Sequence, residues 1–401
     1  MKFFKQIDSP ARVLHWPIFL GSLSSIFLDF GLPIAGKSLG ASALEIGGLY
    51  SIFTVTTMLL RPIVGWVLDH YSRKRCFVVS LLTYALTMAL FALSRDIFGL
   101  YIARFWEGIA AACLWISLRT IGADLSTSAE RGRTMGRLQE VYMRSGMAGV
   151  LIGLLIMRQW PSRMGWAITF AFFGITALLG GIQAWRTVPE TKPLGSKAQQ
   201  SITKIPMSRQ LGFLLVIVFT TGLAEALISP IYLIFLQDRF SADVRLLALA
   251  FFPAGIVMSL LPSIFGKWSD RFGRTPLMAA GLLGTGLLYG LLPALPSFIW
   301  LVALYTLSSI GWSMAEPAKS ALISDLSTSD TWGRIYGVYE FVTRIGATVG
   351  PLLGGWLYDS VGQTIPFYVT GIIMVVSAIA AFVLLRQPAS TDLQTAETQK
   401  S

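Results

Sequence analysis

The stretch Gly65-Trp-Val-Leu-Asp69-His-Tyr-Ser-Arg73-Lys74-Arg75 sits where one long apolar run ends and the next begins. It has an echo in the same setting, Gly266-Lys-Trp-Ser-Asp270-Arg271-Phe-Gly273-Arg274. Gly65 and Gly266, Asp69 and Asp270, and Arg73 and Arg274 are each 201 positions apart in a chain of 401 residues. A second echo shares that offset. Asp124-Leu-Ser-Thr-Ser128 returns as Asp325-Leu-Ser-Thr-Ser329, Gly132-Arg133 as Gly333-Arg334, and Gly136 as Gly337. Glu140-x-x-x-Arg144 returns as Glu340-x-x-x-Arg344, with the offset slipping to 200. Two echoes at one half-chain offset predict two copies of one unit, arranged as parallel repeats.

Composition says what kind of unit. Hydrophobic residues make up 54% of the chain and charged residues 13%, far from an ordinary soluble domain. Apolar runs of about 18 residues or more recur, each long enough to cross a hydrocarbon core of roughly 30 Å as a helix. We predict an all-α integral membrane protein with twelve transmembrane helices in two pseudo-symmetric six-helix bundles. The first six spans are 17–35, 45–68, 76–94, 97–118, 138–157 and 166–185; the others are 211–236, 246–268, 276–294, 298–323, 335–357 and 364–385. The N-terminal bundle then covers 1–185, a cytoplasmic linker 186–210, the C-terminal bundle 211–385 and a disordered tail 386–401. Pro62, Pro230, Pro253, Pro262 and Pro317 fall inside spans, where proline removes a backbone hydrogen bond and tends to kink a helix.

The net charge of +11 belongs to topology rather than to nucleic acid. With the N-terminus inside, cytoplasmic segments hold 22 Lys and Arg and outer loops hold 6. That asymmetry predicts cytoplasmic termini. Cys76 and Cys113 both fall in apolar runs and are read as small packing residues. His15 and His70 are 55 positions apart, so neither a metal site nor a cofactor is expected. The first run continues past any small-residue cleavage pattern and is expected to stay as a helix.

These residues resemble the major facilitator superfamily of secondary transporters, in particular its 12-helix drug:proton antiporter branch. The family's loop motif, Gly-x-x-x-Asp-x-x-x-Arg, is matched by Gly65, Asp69 and Arg73, and again by Gly266, Asp270 and Arg274. The first copy departs from the pattern: His70 stands where Arg is common and Ser72 where Gly is common. The second copy keeps Arg271 and Gly273. Segment four carries Arg104-Phe-Trp-Glu107-Gly108, which resembles the Arg-x-x-x-Gly motif that drug exporters bear on their fourth helix. The resemblance associates that Arg with proton coupling. Segment eleven reads Gly346-Ala-Thr-Val-Gly350-Pro351-Leu-Leu-Gly354-Gly355, similar to a Gly-Pro motif linked to antiporters. The family's diagnostic copy lies on the fifth helix, where this chain has Gly146, Gly149 and Gly153 but no Pro.

Charges inside a bilayer face a cavity or a partner. Four acids lie well inside apolar segments: Asp29, Glu107, Glu225 and Glu316. The resemblance implies a central cavity lined by helices one, four, seven and ten, which places one acid on each. We take Asp29, Arg61, Arg104, Glu107, Glu225, Trp312, Glu316 and Lys319 as candidate substrate or proton sites. Arg104 and Glu107 are three apart and meet on one helix face. Trp312, Glu316 and Lys319 share a face at i, i+4 and i+7. The structural alternative is that these acids only form ion pairs with Arg61, Arg104 or Lys319. Gly65, Asp69, Arg73, Glu140, Arg144, Asp270, Arg271, Arg274, Glu340 and Arg344 are candidates for a cytoplasmic gate.

The leading reading is a secondary active transporter that exports small amphipathic or drug-like compounds by alternating access. Its expected partners are a small-molecule substrate, a proton as coupling ion (with sodium as the alternative) and the lipid bilayer. Its expected place is a bacterial-type inner (plasma) membrane. The alternative is an importer or facilitator of a polar metabolite such as a sugar or organic acid, with Arg61, Arg104 and Arg144 as anion ligands. A third class is a membrane-embedded enzyme or assembly factor. The sequence holds no nucleotide-binding Gly-Lys loop, metal cluster or triad pattern to support an enzyme.

Overall fold

The structure is a computed structural model that describes residues 10–127, 130–160, 163–191, 207–240, 244–327 and 332–385. The tail after Arg386 and linker residues 192–206 lie outside the described residues. The chain divides into two compact units, Met1–Ser201 and Ile202–Ser401.

The first unit holds α1 (His15–Gly21), α2 (Ser24–Ser38), α3 (Ala43–His70), α4 (Arg73–Leu93), α5 (Ile97–Asp124), α6 (Arg131–Gln159) and α7 (Arg163–Thr187). The second holds α8 (Arg209–Phe240), α9 (Val244–Phe272), α10 (Arg274–Leu291), α11 (Phe298–Asp325), α12 (Trp332–Ser360) and α13 (Ile365–Leu384). Among the described residues there is no strand. Among the described residues, eleven spans are long and apolar enough to cross a membrane. The remaining long helix, α12, is 29 residues, but Arg344 and its glycines dilute its apolar character.

Local chemistry sets the helix starts. Ser42 and Glu45 form a capping box at α3, with bonds of 2.8 and 3.1 Å. Asp96 caps α5 by accepting from the Gly99 amide at 2.8 Å. The two copies of the loop motif solve one turn in two ways. In the second, Gly273 takes φ +94, a region that favours glycine. In the first, Ser72 stands at the equivalent place, stays extended and accepts from the Arg75 amide as the cap of α4.

Most expected boundaries lie within a few residues of the observed ones, and two features differ. Segment one is not a single helix: it breaks between α1 and α2 at Ser22 and Leu23. There Ser145 of α6 donates to the Phe19 carbonyl, and Gly149 faces the Leu23 carbonyl. Segment five begins earlier, because α6 starts at Arg131, so Glu140 lies nine residues inside the helix rather than at its start. Lys319 lies in the tenth predicted span and is a buried residue of α11. Helices α3, α8, α9 and α11 are continuous through their prolines.

The first unit's core centres on Phe27 of α2, whose ring centroid lies 5.8 Å from Phe170 and 5.4 Å from Phe173 of α7. Leu151, Leu155, Ile175, Ile372, Val376 and Ile379 are large, apolar and exposed. On a membrane protein such surfaces face lipid. Cys76 and Cys113 are free and pack beside Val64, Leu68 and Ala112.

Candidate functional site

Each unit places one buried cation between two carboxylates. In the first unit the cation is Arg104 on α5, with its side chain 2% exposed. Its Nη1 donates to Glu107 Oε2 at 2.6 Å, its Nε to the Leu49 carbonyl at 3.3 Å, and its Nη2 lies 3.7 Å from Asp29 Oδ1. The guanidinium also lies 4.5 Å from the centroid of the Phe53 ring and 5.2 Å from that of Tyr50. Tyr50 in turn donates to the Asp29 backbone carbonyl at 2.6 Å. Arg104 therefore ties α2, α3 and α5 together. Its two acids are unequal: Glu107 is 5% exposed and closely held, while Asp29 is 70% exposed.

In the second unit the cation is Lys319 on α11, 5% exposed. Its Nζ is 2.6 Å from Glu316 Oε2 and 3.6 Å from Glu225 Oε1 of α8. Trp312 is a side-chain hydrogen-bond partner of Glu225. Tyr339 of α12 donates a long bond to Glu316 at 3.4 Å. Glu225 and Glu316 are 31% and 36% exposed. With carboxylates ionised, each triad carries a formal charge of −1. The triads are alike in design but not in sequence register. In the first the acid follows its cation by three positions, and in the second it precedes it by three.

An aromatic column adjoins the second triad. Tyr232 lies seven residues from Glu225 on α8, and Tyr305 seven from Trp312 on α11, so each is on the same helix face about 10 Å further along. Tyr232 and Tyr305 stack at 4.2 Å, with Phe251 at 5.4 and 5.6 Å from them.

Among the other candidates, Arg61 is not close to the first triad. It lies eight residues beyond Phe53 on α3, about 12 Å along the axis. The motif arginines find partners within their own units. Arg73 Nη1 donates to Asp124 at 2.6 Å, and Arg274 Nε to Asp325 at 2.7 Å. Arg274 is also 3.7 Å from Asp270. Asp69 is exposed, and Arg271 lies over Phe272 at 5.4 Å. Glu140 with Arg144 and Glu340 with Arg344 form ion pairs of 2.5 and 4.0 Å along their helices. A Cβ at Gly65 or Gly266 would meet no described atom within 4 Å.

Several participants went unassigned from the sequence. Tyr50, Phe53 and the Leu49 carbonyl surround Arg104, and no charge marks them. Asp124 and Asp325 did carry a signal, because both repeat at the offset of their arginine partners. The first unit also recruits Glu190, just after α7. Its carboxylate accepts from the Ser72 hydroxyl and from the Arg73 amide at 3.1 Å, while Thr191 donates to Asp124 at 2.6 Å.

The sequence matches the family model described as Major Facilitator Superfamily twice, over residues 18–213 and 214–400. Multidrug resistance protein 1 of Bacillus subtilis (strain 168) is 24% identical over 385 residues, covering 93% of this chain and 96% of its own length. The class D tetracycline resistance protein of Salmonella ordonez is 24% identical over 348 residues, covering 86% and 88%. Among solved structures, the nucleoside transporter NupG aligns with a TM-score of 0.77 at 14% identity, covering 94% of this chain and all of that one. A bacterial homologue of the human lysosomal transporter Spinster aligns with a TM-score of 0.77 at 14% identity, covering 95% and 98%. These structural likenesses concern the fold.

Proposed function

The chain belongs to the Major Facilitator Superfamily, and on that premise we propose that this multi-pass membrane transporter exports small amphipathic cations in exchange for protons. One observation carries the reading: each unit surrounds a single buried cation with two carboxylates, at least one of them open to solvent. A site of formal charge −1 in a low-dielectric setting favours one further positive charge, either a proton or a cationic substrate. The partly exposed Tyr305 and Phe251, backed by the buried Tyr232, supply apolar area and ring surface for a lipophilic body. The relatives named for multidrug and tetracycline resistance support export of drug-like compounds.

We assign Asp29 the coupling proton, since it is the exposed acid of the tightly held first triad. Glu225, Glu316 and Trp312 then hold the substrate. An anion-binding importer draws less support. Arg104 is committed to Glu107, Leu49 and Asp29, Arg144 is paired with Glu140, and Arg61 has a partner. From the excess of Lys and Arg on one side we infer cytoplasmic termini.

The test is uptake of a fluorescent lipophilic cation into proteoliposomes under an imposed pH gradient. Wild type is expected to move the dye against its own gradient, and Asp29→Asn to bind dye but lose proton-driven accumulation. Sodium-driven flux that ignores the pH gradient would overturn the proton assignment. Uptake of an organic acid or sugar, with no cation flux, would overturn the export reading.

We further assign the motif residues a gating role. Asp69→Asn is expected to cut transport about tenfold or more while leaving equilibrium substrate binding within about twofold, an effect the size of one charged contact. Transport and binding measured on the same preparation decide it. Loss of binding with normal switching would contradict the assignment.

A further inference from the structure

We propose that Lys319 sets the charge of the transported substrate, acting as a tethered cation that fills one of two positions for positive charge. The inference rests on the export of cations proposed above and specifies which cations fit. Lys319 and Arg104 have different surroundings. Arg104 spreads its donors over a backbone carbonyl and a carboxylate, and two rings flank its plane. A planar, multiply bonded guanidinium suits a permanent cross-brace. The Lys319 ammonium meets Glu316, at 2.6 Å, and Glu225, at 3.6 Å, with the Tyr339 hydroxyl nearby. It is a compact point charge on a flexible stem, chemically akin to the amine of a cationic ligand.

Both of its acids are partly open, and they come from different helices, α11 and α8. Without the lysine, the pair would present a formal charge of −2 beside Trp312 and the aromatic column. With it, the site presents −1 and matches one substrate charge. A dication would bring a second positive charge with no counterpart in a low-dielectric setting, which is unfavourable. Lys319 thus selects monocations over dications of the same ring chemistry.

The experiment is equilibrium binding to the purified full chain in lipid nanodiscs. Three probes share a quinoline ring and a ten-carbon chain: N-decylquinolinium, the dication 1,1′-decane-1,10-diylbis(quinolinium), and neutral 4-decylquinoline. Wild type is expected to favour the monocation over the dication by about tenfold or more. Lys319→Gln lowers the formal charge to −2 and is expected to reverse that order. Lys319→Arg keeps the wild-type order. Glu316→Gln with Lys319→Gln restores −1 and is expected to restore preference for the monocation. Glu316→Gln alone brings the site to zero and is expected to weaken the monocation about tenfold against the neutral probe.

The double variant and Glu316→Gln each test the rule even if Lys319→Gln fails to fold, because neither leaves two unpaired acids. Wild-type binding of the monocation with one order of preference across the whole series would overturn the charge rule and leave the export reading standing. A wild type that binds neither cation would overturn the cation reading, and the charge rule with it.

Discussion

Replacing Arg104 by alanine is expected to lower transport about 100-fold or more and to lower the thermal midpoint of the purified protein by about 10 °C. Arg104 is a fully buried charge at the meeting of three helices. Without it, Glu107 stays in the same apolar setting with no cation, and Asp29 loses its only described ion pair. Removing one partner of a buried pair destabilises by about 3–5 kcal/mol, because the remaining charge is left uncompensated. The conservative Arg104→Lys keeps the charge but not the planar fork. A single ammonium cannot span Glu107, the Leu49 carbonyl and Asp29 together, so an intermediate loss is expected.

The double variant Arg104→Ala, Glu107→Gln separates structure from function. It removes the stranded charge, so most of the thermal stability should return. Transport should not return, since Asp29 still lacks the cation that orients it. Differential scanning of intrinsic fluorescence and proteoliposome flux on the same samples read both quantities. Wild-type stability of the single variant would show that Arg104 is not the brace of the first unit. Full recovery of transport in the double variant would show that it is only a brace.

The fold was legible because a bilayer enforces a simple rule. Each backbone polar group in hydrocarbon must be paired within its own segment, so apolar length converts directly into helices. The repeat at Asp69 and Asp270 then gave the twofold plan. The rule misled where a helix is not purely apolar. The start of α6 carries Arg131, Arg133 and Arg137, so a hydropathy reading shortens it. The break at Ser22 and Leu23 was invisible because no proline marks it. It is held by Ser145 and by the missing side chain of Gly149, more than a hundred residues away.

The candidate site was legible in its charges and hidden in its neutral parts. Burying an ionisable group in an apolar run is costly, so Asp29, Arg104, Glu107, Glu225, Glu316 and Lys319 stand out against their surroundings. Arg61 stands out for the same reason, yet it lies about two turns past the first triad along α3. Helical spacing places the pairs three apart on one helix, and both occur at 2.6 Å. It says nothing of which residues of other helices approach. Tyr50, Tyr339 and the Leu49 carbonyl are ordinary membrane-helix chemistry until tertiary packing brings them to a charge.

On one helix, two glycine substitutions are expected to act in opposite directions. Gly346→Val should lower the thermal midpoint by about 5–10 °C and reduce transport severely. A Cβ at Gly346 would lie 2.7 Å from the Leu223 nitrogen and 2.8 Å from the Phe219 carbonyl oxygen. Both are backbone atoms of α8, so no rotamer change relieves the contact. Gly350, one turn further, would meet the Leu223 carbonyl at 2.7 Å in the same way, which makes this a helix pair that depends on small residues for close approach. The valine must push α12 from α8, and Glu225 of the second triad and Tyr339, which bonds Glu316, ride on those two helices. Gly346→Ala should give a smaller loss of the same sign. Gly337, earlier on α12, would bring its Cβ within 4 Å of no described atom. There alanine removes the conformational freedom of glycine without a clash, so Gly337→Ala is expected to stabilise by about 0.5–1 kcal/mol. Melting curves of the three variants suffice as the check. Equal tolerance at 346 and 337 would mean that α8 and α12 do not pack backbone to backbone.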